Sequence, residues 1–229
     1  MGIVNLKPNF SIEKARETQL RMSRRIVFED SLPEKPRFVA GVDVAYVKDL
    51  AIGVVAVLDY VSLELVESEI SVCKVRFPYI PTLLSLREIP PTVLCIEKLR
   101  LQPEVFLVDG HGFAHPYRCG FASHLGLVIG KPTIGVAKGK LFGEVENEKG
   151  RRDVVLLRHG DEVIGAVVKT KQGFKPVYVS VGHMVSLETA VKIVEHCIRH
   201  SRIPEPISKA HQIATAEKRK INIVSLVNK

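Results

Sequence analysis

The chain is poor in cysteine and in aromatic side chains. Cys73, Cys95, Cys119 and Cys197 are its four cysteines, and none has the paired spacing that a zinc site or a redox motif requires. They read as small buried hydrophobes in a reducing compartment, which predicts a cytoplasmic location. Aromatic residues make up only 6% of the 229 residues, against 46% hydrophobic overall, enough for one sizeable core. Long apolar runs are absent too: Met1 to Phe10 carries Lys7 and Pro8, which argues against a signal peptide, and nothing reads as a membrane span. Without repeats, low-complexity tracts or a linker, residues 1–229 are expected to form a single domain with no membrane partner and no obligate protein partner.

What is present is positive charge and a regular alternation of apolar and polar residues. A formal charge of +8 and a pI near 9.4 favour a polyanionic partner such as DNA or RNA. Ser11 predicts the cap of a helix running from Glu13 to about Ile26, with Arg21, Arg24 and Arg25 towards its end. Residues 38–46, 51–60 and 64–75 are Val-rich with short polar breaks, as expected of an antiparallel meander. Pro78-Tyr79-Ile80-Pro81 makes a stiff loop, and a short helix through Leu83, Leu84 and Glu88 is expected to stop before Pro90-Pro91, where a second would begin and run to Leu99. Residues 104–109, about 120–129 and 133–138 read as parallel strand, helix, parallel strand, with Gly130 and Pro132 closing the helix. A hairpin around His159-Gly160-Asp161, a strand at 177–181, a helix capped by Ser186 and a last basic helix containing His211 and ending at Glu217-Lys218-Arg219-Lys220 complete the pattern.

Three carboxylates stand where apolar residues would otherwise be: Asp43 within Phe38–Tyr46, Asp109 closing Val105–Val108, and Glu88 between Arg87 and Ile89. A buried, unpartnered carboxylate is strongly disfavoured, so three of them point to a cation held by oxygen ligands. Alternation puts Val39, Gly41, Asp43 and Ala45 on one face of their strand. Asp109 ends a parallel strand and is followed by glycine, the place where open sheets bind ligands. Lys138 ends the neighbouring strand and is expected at the same edge, either holding a phosphate or lying in solvent. His211 is a lone helical histidine, a pattern more often structural than ligating. The loop Gly110-His111-Gly112-Phe113-Ala114-His115-Pro116 and Gly120 allow a ligand close to the backbone, or else serve a tight connection with positive φ. His111 and His115 lack a third ligand at zinc spacing. Tyr79 on its proline-braced tip suits either a loop anchor or a wedge between stacked bases, with the glycine-rich loop receiving the displaced base.

These segments resemble the endonuclease V family, nucleases that act on deaminated adenine. The resemblance rests on Val39–Tyr46, on Pro78–Pro81 followed by Leu84–Glu88, and on Val108–Pro116. It continues through Gly120–Gly126, Thr133–Lys138, Val181–His183 with Ser186–Ala190, and Pro204–Pro206 ahead of His211. It implies an α/β, ribonuclease H-like mixed sheet, three antiparallel strands followed by two parallel ones, flanked by helices. It implies a single catalytic domain in which Asp43, Glu88 and Asp109 hold the metal, with His211 nearby and Lys138 at the phosphate.

The resemblance makes Pro78, Tyr79, Ile80 and Pro81 the strand-separating wedge. Leu84, Gly110, His115 and Gly120 would line the pocket for the extruded base. The implied cofactor is magnesium (Mg2+), with manganese (Mn2+) as the alternative ion. The implied substrate is DNA containing deoxyinosine, cut at the second phosphodiester bond on its 3′ side to leave 3′-hydroxyl and 5′-phosphate ends. Inosine-containing RNA is a further candidate, and a module that binds the lesion without cutting is a rival reading. Two positions depart from the family pattern: Thr82 where glycine commonly follows the wedge, and Leu86 where phenylalanine is common.

Overall fold

Strand β1 (Phe38–Val47) is covered on both faces and organises the molecule, whose computed structural model describes residues 10–146 and 153–227. The reading of Met1 to Phe10 thus lies almost wholly outside the described residues. From β1 the chain turns into β2 (Leu50–Asp59) and β3 (Leu65–Lys74), each antiparallel to the one before, in the expected meander. β4 (Val105–Asp109) adds parallel to β1, and β5 (Thr133–Ala137) adds parallel to β4 through the crossover helix α3 (Phe121–Ile129). Gly130 ends that helix at φ 62°, the left-handed position where a side chain is penalised.

The sheet does not stop there. β6 (Glu144–Val145), β7 (Val154–His159), β8 (Glu162–Val168) and β9 (Val177–His183) join it, giving nine strands among the described residues in the order β3-β2-β1-β4-β5-β9-β8-β7-β6. β9 runs antiparallel to β5, and the hairpin of β7 and β8 continues the same sheet from it.

Helices cover both faces, which is why the central strands read as near-continuous apolar runs. On one side α4 (Leu187–His196) and α5 (Glu205–Val227) bury Val191, Val194, Ile207 and Ala214 against Val39, Val54, Leu107 and Val179. On the other, α2 (Ser85–Ile96) and α3 bury Cys95, Phe121 and Leu125 against Val42, Val55, Phe106 and Val108. No helix among the described residues is long and apolar enough to cross a membrane.

Three expected helix boundaries are corrected. The prolines at 90 and 91 do not split α2; they lie inside one continuous helix. Tertiary packing overrides their helix-breaking tendency. Pro91 is seated on Gly53, where a Cβ would come within 2.7 Å of the Pro91 backbone, and Ser71 Oγ donates to Pro91 O at 2.6 Å. The first helix, α1 (Ile12–Ser23), keeps its Ser11 cap but ends three residues before Ile26. Beyond it the chain is captured by the end of β9: Val27 N–H donates to His183 Nδ1 at 3.2 Å, and Met184 N–H donates to Val27 O at 2.8 Å. The last helix runs past Lys220 to Val227, since Ile213 and Ile221 extend its apolar face along the core.

Candidate active site

β1 and β4 lie side by side with Val42 opposite Val108, so one further step along each strand brings Asp43 beside Asp109. Val44 N–H donates to Asp43 Oδ1 at 2.9 Å, and Oδ2 of the same carboxylate lies 2.8 Å from His211 Nδ1 on α5. An ionised carboxylate only accepts, so His211 carries a proton on Nδ1 and presents Nε2 as its remaining group. Lys138, immediately after β5, pairs through Nζ with Asp109 Oδ2. One ligand atom from each of Asp43, Asp109 and His211 falls within 4.8 Å of the others.

Glu88 arrives from α2 on the opposite face of the sheet and is buried. Burial first, and then the charges of Asp43 and Asp109, push its carboxyl well above the ordinary range. Asp109 is also raised by burial, with the Lys138 ammonium opposing the shift and the Asp43 charge adding to it. This concentration of oxygen donors with too little positive charge is what a hard divalent cation fits. Asp43, Asp109 and His211 make the mutually close set, and Glu88 borders it through its charge. Local spacing gave no sign that His211, 168 residues from Asp43, would be the third member.

The raised Glu88 carboxyl carries a stability consequence with a definite sign. A carboxyl whose folded pKa exceeds its unfolded value costs stability increasingly as pH rises above the unfolded value, up to the folded one. Glu88→Gln should therefore raise the Tm of the metal-free protein by a few degrees near pH 8 and leave it unchanged below about pH 4.5. Thermal melts in EDTA at the two pH values check this, and equal shifts at both would remove the electrostatic explanation.

A pocket of about 210 Å³ opens directly beside these carboxylates, with Glu88 and Asp109 in its wall. The loop Pro78–Pro81 contributes Tyr79, Ile80 and Pro81, followed by Leu84, and the loop after β4 contributes Gly110, His115 and Gly120. Pro78 stands just outside the lining, half-buried at the base of the loop. Tyr79 is 69% exposed, and the Arg87 guanidinium lies 5.9 Å from its ring centroid and 4.6 Å from that of Tyr46. Larger hollows of about 310 and 470 Å³ have none of Asp43, Glu88, Asp109, Lys138 and His211 in their walls.

Gly112 and Gly120 of the second loop serve close packing rather than positive φ. A Cβ on Gly112 would stand 2.2 Å from Val181 O, and one on Gly120 would stand 2.3 Å from His111 O. Positive φ falls instead on Arg118 of that loop, at 53°, and on Thr82, at 74°, in the pocket wall. Gln19 of α1, which sequence reading passed over, locks that position: its Nε2 donates to Thr82 O at 2.8 Å and to Cys119 O at 3.0 Å. The only available signal was a polar residue on the buried side of an amphipathic helix. Leu86, the other departure, lines the 310 Å³ hollow beside α1 and not this pocket.

A mixed sheet whose first three strands are antiparallel and whose next two add in parallel, with helices on both faces and an acidic cluster at the edge of its central strands, defines a ribonuclease H-like protein. A family model for Endonuclease V matches residues 20–212, and the chain belongs to the endonuclease V family. An endonuclease V of Thermofilum pendens is 48% identical over 217 residues, 94% of this chain and 93% of the relative. The crystal structure of endonuclease V from Streptomyces avermitilis superimposes with a TM-score of 0.85 at 36% identity, covering 93% of this chain and 95% of that one. Endonuclease V of Ciona intestinalis, seen in complex with a 24mer DNA containing an inosine followed by a ribo-adenosine, gives 0.80 at 34% identity, covering 92% and 98%.

Proposed function

We propose that this chain, acting as one catalytic domain, hydrolyses the second phosphodiester bond on the 3′ side of deoxyinosine in DNA. The observation that carries the reading is the continuity of the acidic cluster with a pocket of about 210 Å³ roofed by an exposed tyrosine. Asp43, Asp109 and Glu88, with His211 beside them, would hold a divalent cation, magnesium by choice of hard oxygen donors and manganese as the alternative. Such an ion, when bound, supplies Lewis acidity that offsets charge on the phosphoryl oxygens and makes water a stronger nucleophile near neutral pH.

The side chains divide the remaining work. His211, oriented by Asp43, offers Nε2 to take a proton from the attacking water. The water oxygen bonds to phosphorus and the P–O3′ bond breaks, leaving a 5′-phosphate on one fragment and, after protonation, a 3′-hydroxyl on the other. Lys138, held beside Asp109, places its ammonium against the scissile phosphate. Tyr79 fills the stack vacated by the base, whose unstacking costs on the order of a few kcal/mol.

The test is cleavage of end-labelled duplexes with and without one deoxyinosine, in magnesium and in EDTA, with the cut mapped to the nucleotide. A single metal-dependent nick one nucleotide beyond the inosine supports the reading; tight inosine binding without scission in any divalent metal replaces it with a lesion-binding module. Tyr79→Ala should raise KM for the inosine duplex roughly tenfold, the scale of one lost base–aromatic stack, with kcat nearly unchanged. Unaltered affinity and specificity would reduce Tyr79 to a loop anchor. Inosine-containing RNA is a second reading, favoured by the ribo-adenosine that follows inosine in the Ciona complex. Matched DNA and RNA strands separate the two.

A further inference from the structure

Just outside the pocket, one side chain joins three segments of the chain. Arg118 follows the pocket residue His115, and its backbone is held at φ 53°, a left-handed conformation that persists only where the surroundings over-determine it. Those surroundings are dense. Arg118 N–H donates to His115 O at 2.9 Å, and Nη1 of its side chain donates to the same carbonyl at 3.0 Å. Nε and Nη2 donate to Glu162 Oε2 at 2.8 and 2.6 Å, and Nη2 lies 2.9 Å from His159 Nδ1, so the guanidinium grips both sides of the turn between β7 and β8. Its carbon stands 5.6 Å from the Phe113 ring centroid and 5.3 Å from that of Phe142, and Phe142 in turn lies 4.6 Å from the His159 ring. Phe113 and Phe142 pack on a small apolar cluster of Ala114, Leu157 and Ile164. Phe142 belongs to the stretch after β5, which begins at Lys138 and puts Leu141 in the pocket wall. An exposed ion pair would fix little, but the Arg118 side chain is only 13% exposed, and its bonds are charge-assisted and directional.

We propose that Arg118 is a positioning residue: it clamps the loop after β4 and the stretch after β5 to the β7–β8 turn, and so fixes the part of the pocket wall that His115 and Leu141 form. This inference rests on the function proposed above. Arg118 does not itself line the pocket, so it acts through the backbone of its neighbours. Its partners lie well away from the chemistry, since β9 and β5 separate the β7–β8 hairpin from β4 in the sheet. Release of the clamp lets the strained turn at Arg118 relax, removes one of the two donors on His115 O, and frees Phe142 and with it Leu141. Asp43 and Asp109 are held by the paired strands β1 and β4 and do not depend on the clamp. The loss therefore falls on substrate engagement, read as KM, and leaves the bond-breaking step, read as kcat.

The experiment measures kcat and KM for cleavage of a duplex carrying one deoxyinosine, at a temperature where thermal melts show every variant folded. The proteins are wild type, Arg118→Met, Arg118→Lys, Glu162→Gln and the double variant Arg118→Met/Glu162→Gln. Arg118→Met keeps an unbranched chain over Phe113 and Phe142 but removes every side-chain donor; it should raise KM about tenfold with kcat within about twofold of wild type. Glu162→Gln changes a half-exposed residue outside the pocket wall and should still raise KM about threefold, and the double variant should be no worse than Arg118→Met, because losses within one network do not add. Arg118→Lys should recover part of the loss. A structural role alone predicts a lower Tm with KM unchanged, and that result overturns the proposal, as does a fall in kcat at constant KM. If Arg118→Met does not fold, Glu162→Gln and Glu162→Ala decide, and wild-type KM in both overturns the clamp. Wild type that makes no metal-dependent cut beside inosine overturns the functional reading itself, and this role with it.

Discussion

Asp109→Ala is expected to lower the cleavage rate at least about a thousandfold, roughly 4 kcal/mol of transition-state stabilisation, while affinity for the inosine strand changes little. Asp109 is the point where the parts of the site join. It lies beside Asp43 in the parallel register, pairs with Lys138, borders the pocket, and contributes to the charge that raises Glu88. Its removal takes one of the three mutually close ligand atoms and frees Lys138 from its partner. Binding should survive because the Pro78–Pro81 loop and the pocket glycines are untouched, and because removing a negative charge beside a phosphate does not repel it. Asp109→Asn, which keeps the shape and removes only the charge, should be nearly as inactive and should show a smaller rise in Tm when divalent metal is added. Cleavage retained by both variants would show that Asp109 is not an essential ligand.

How far the sequence foretold this site depends on the range of each interaction. Alternation in residues 38–46 assigned Asp43 to the correct face because strand periodicity is local, and Gly130 and Ser186 marked their helix ends for the same reason. Pro90 and Pro91 misled because the contacts that hold α2 straight come from Gly53 and Ser71, on strands that precede it. The partnership of Asp43 with His211 and the addition of β9 beside β5 are likewise long-range, and no local pattern announces them. In the glycine-rich loop the residue type was legible but its reason was not: Gly112 and Gly120 make room for neighbouring backbone, and positive φ sits on Arg118 and on Thr82. His115 was singled out for the pocket from the resemblance, whereas the histidine nitrogen left without a partner belongs to His111.

Gly41→Ala should be among the most damaging single-methyl changes in the chain, through both stability and chemistry. A Cβ at this position would stand 1.9 Å from Pro206 O, 2.0 Å from Pro206 C and 2.5 Å from Ile207 N. All three are backbone atoms at the start of α5, so no side-chain rotation relieves the clash, and the helix must lift from β1. Overpacking commonly costs about 1–3 kcal/mol, and a backbone-on-backbone clash belongs at the upper end or beyond. At this chain length that corresponds to a fall in Tm of roughly 6–12 °C. Asp43 lies two residues along the same face of β1, and His211 follows Pro206 on the displaced helix, so their 2.8 Å contact opens with it. A displacement near 1 Å at a catalytic group can cost about a hundredfold in rate, and kcat should fall on that scale even well below the melting temperature. His211→Ala provides the comparison: it removes the same contact at a largely exposed side chain, so it should lose activity with little change in Tm. If Gly41→Ala matches wild type in both melting and kcat, α5 is not seated on β1 as described, and the Asp43–His211 pair loses its structural basis.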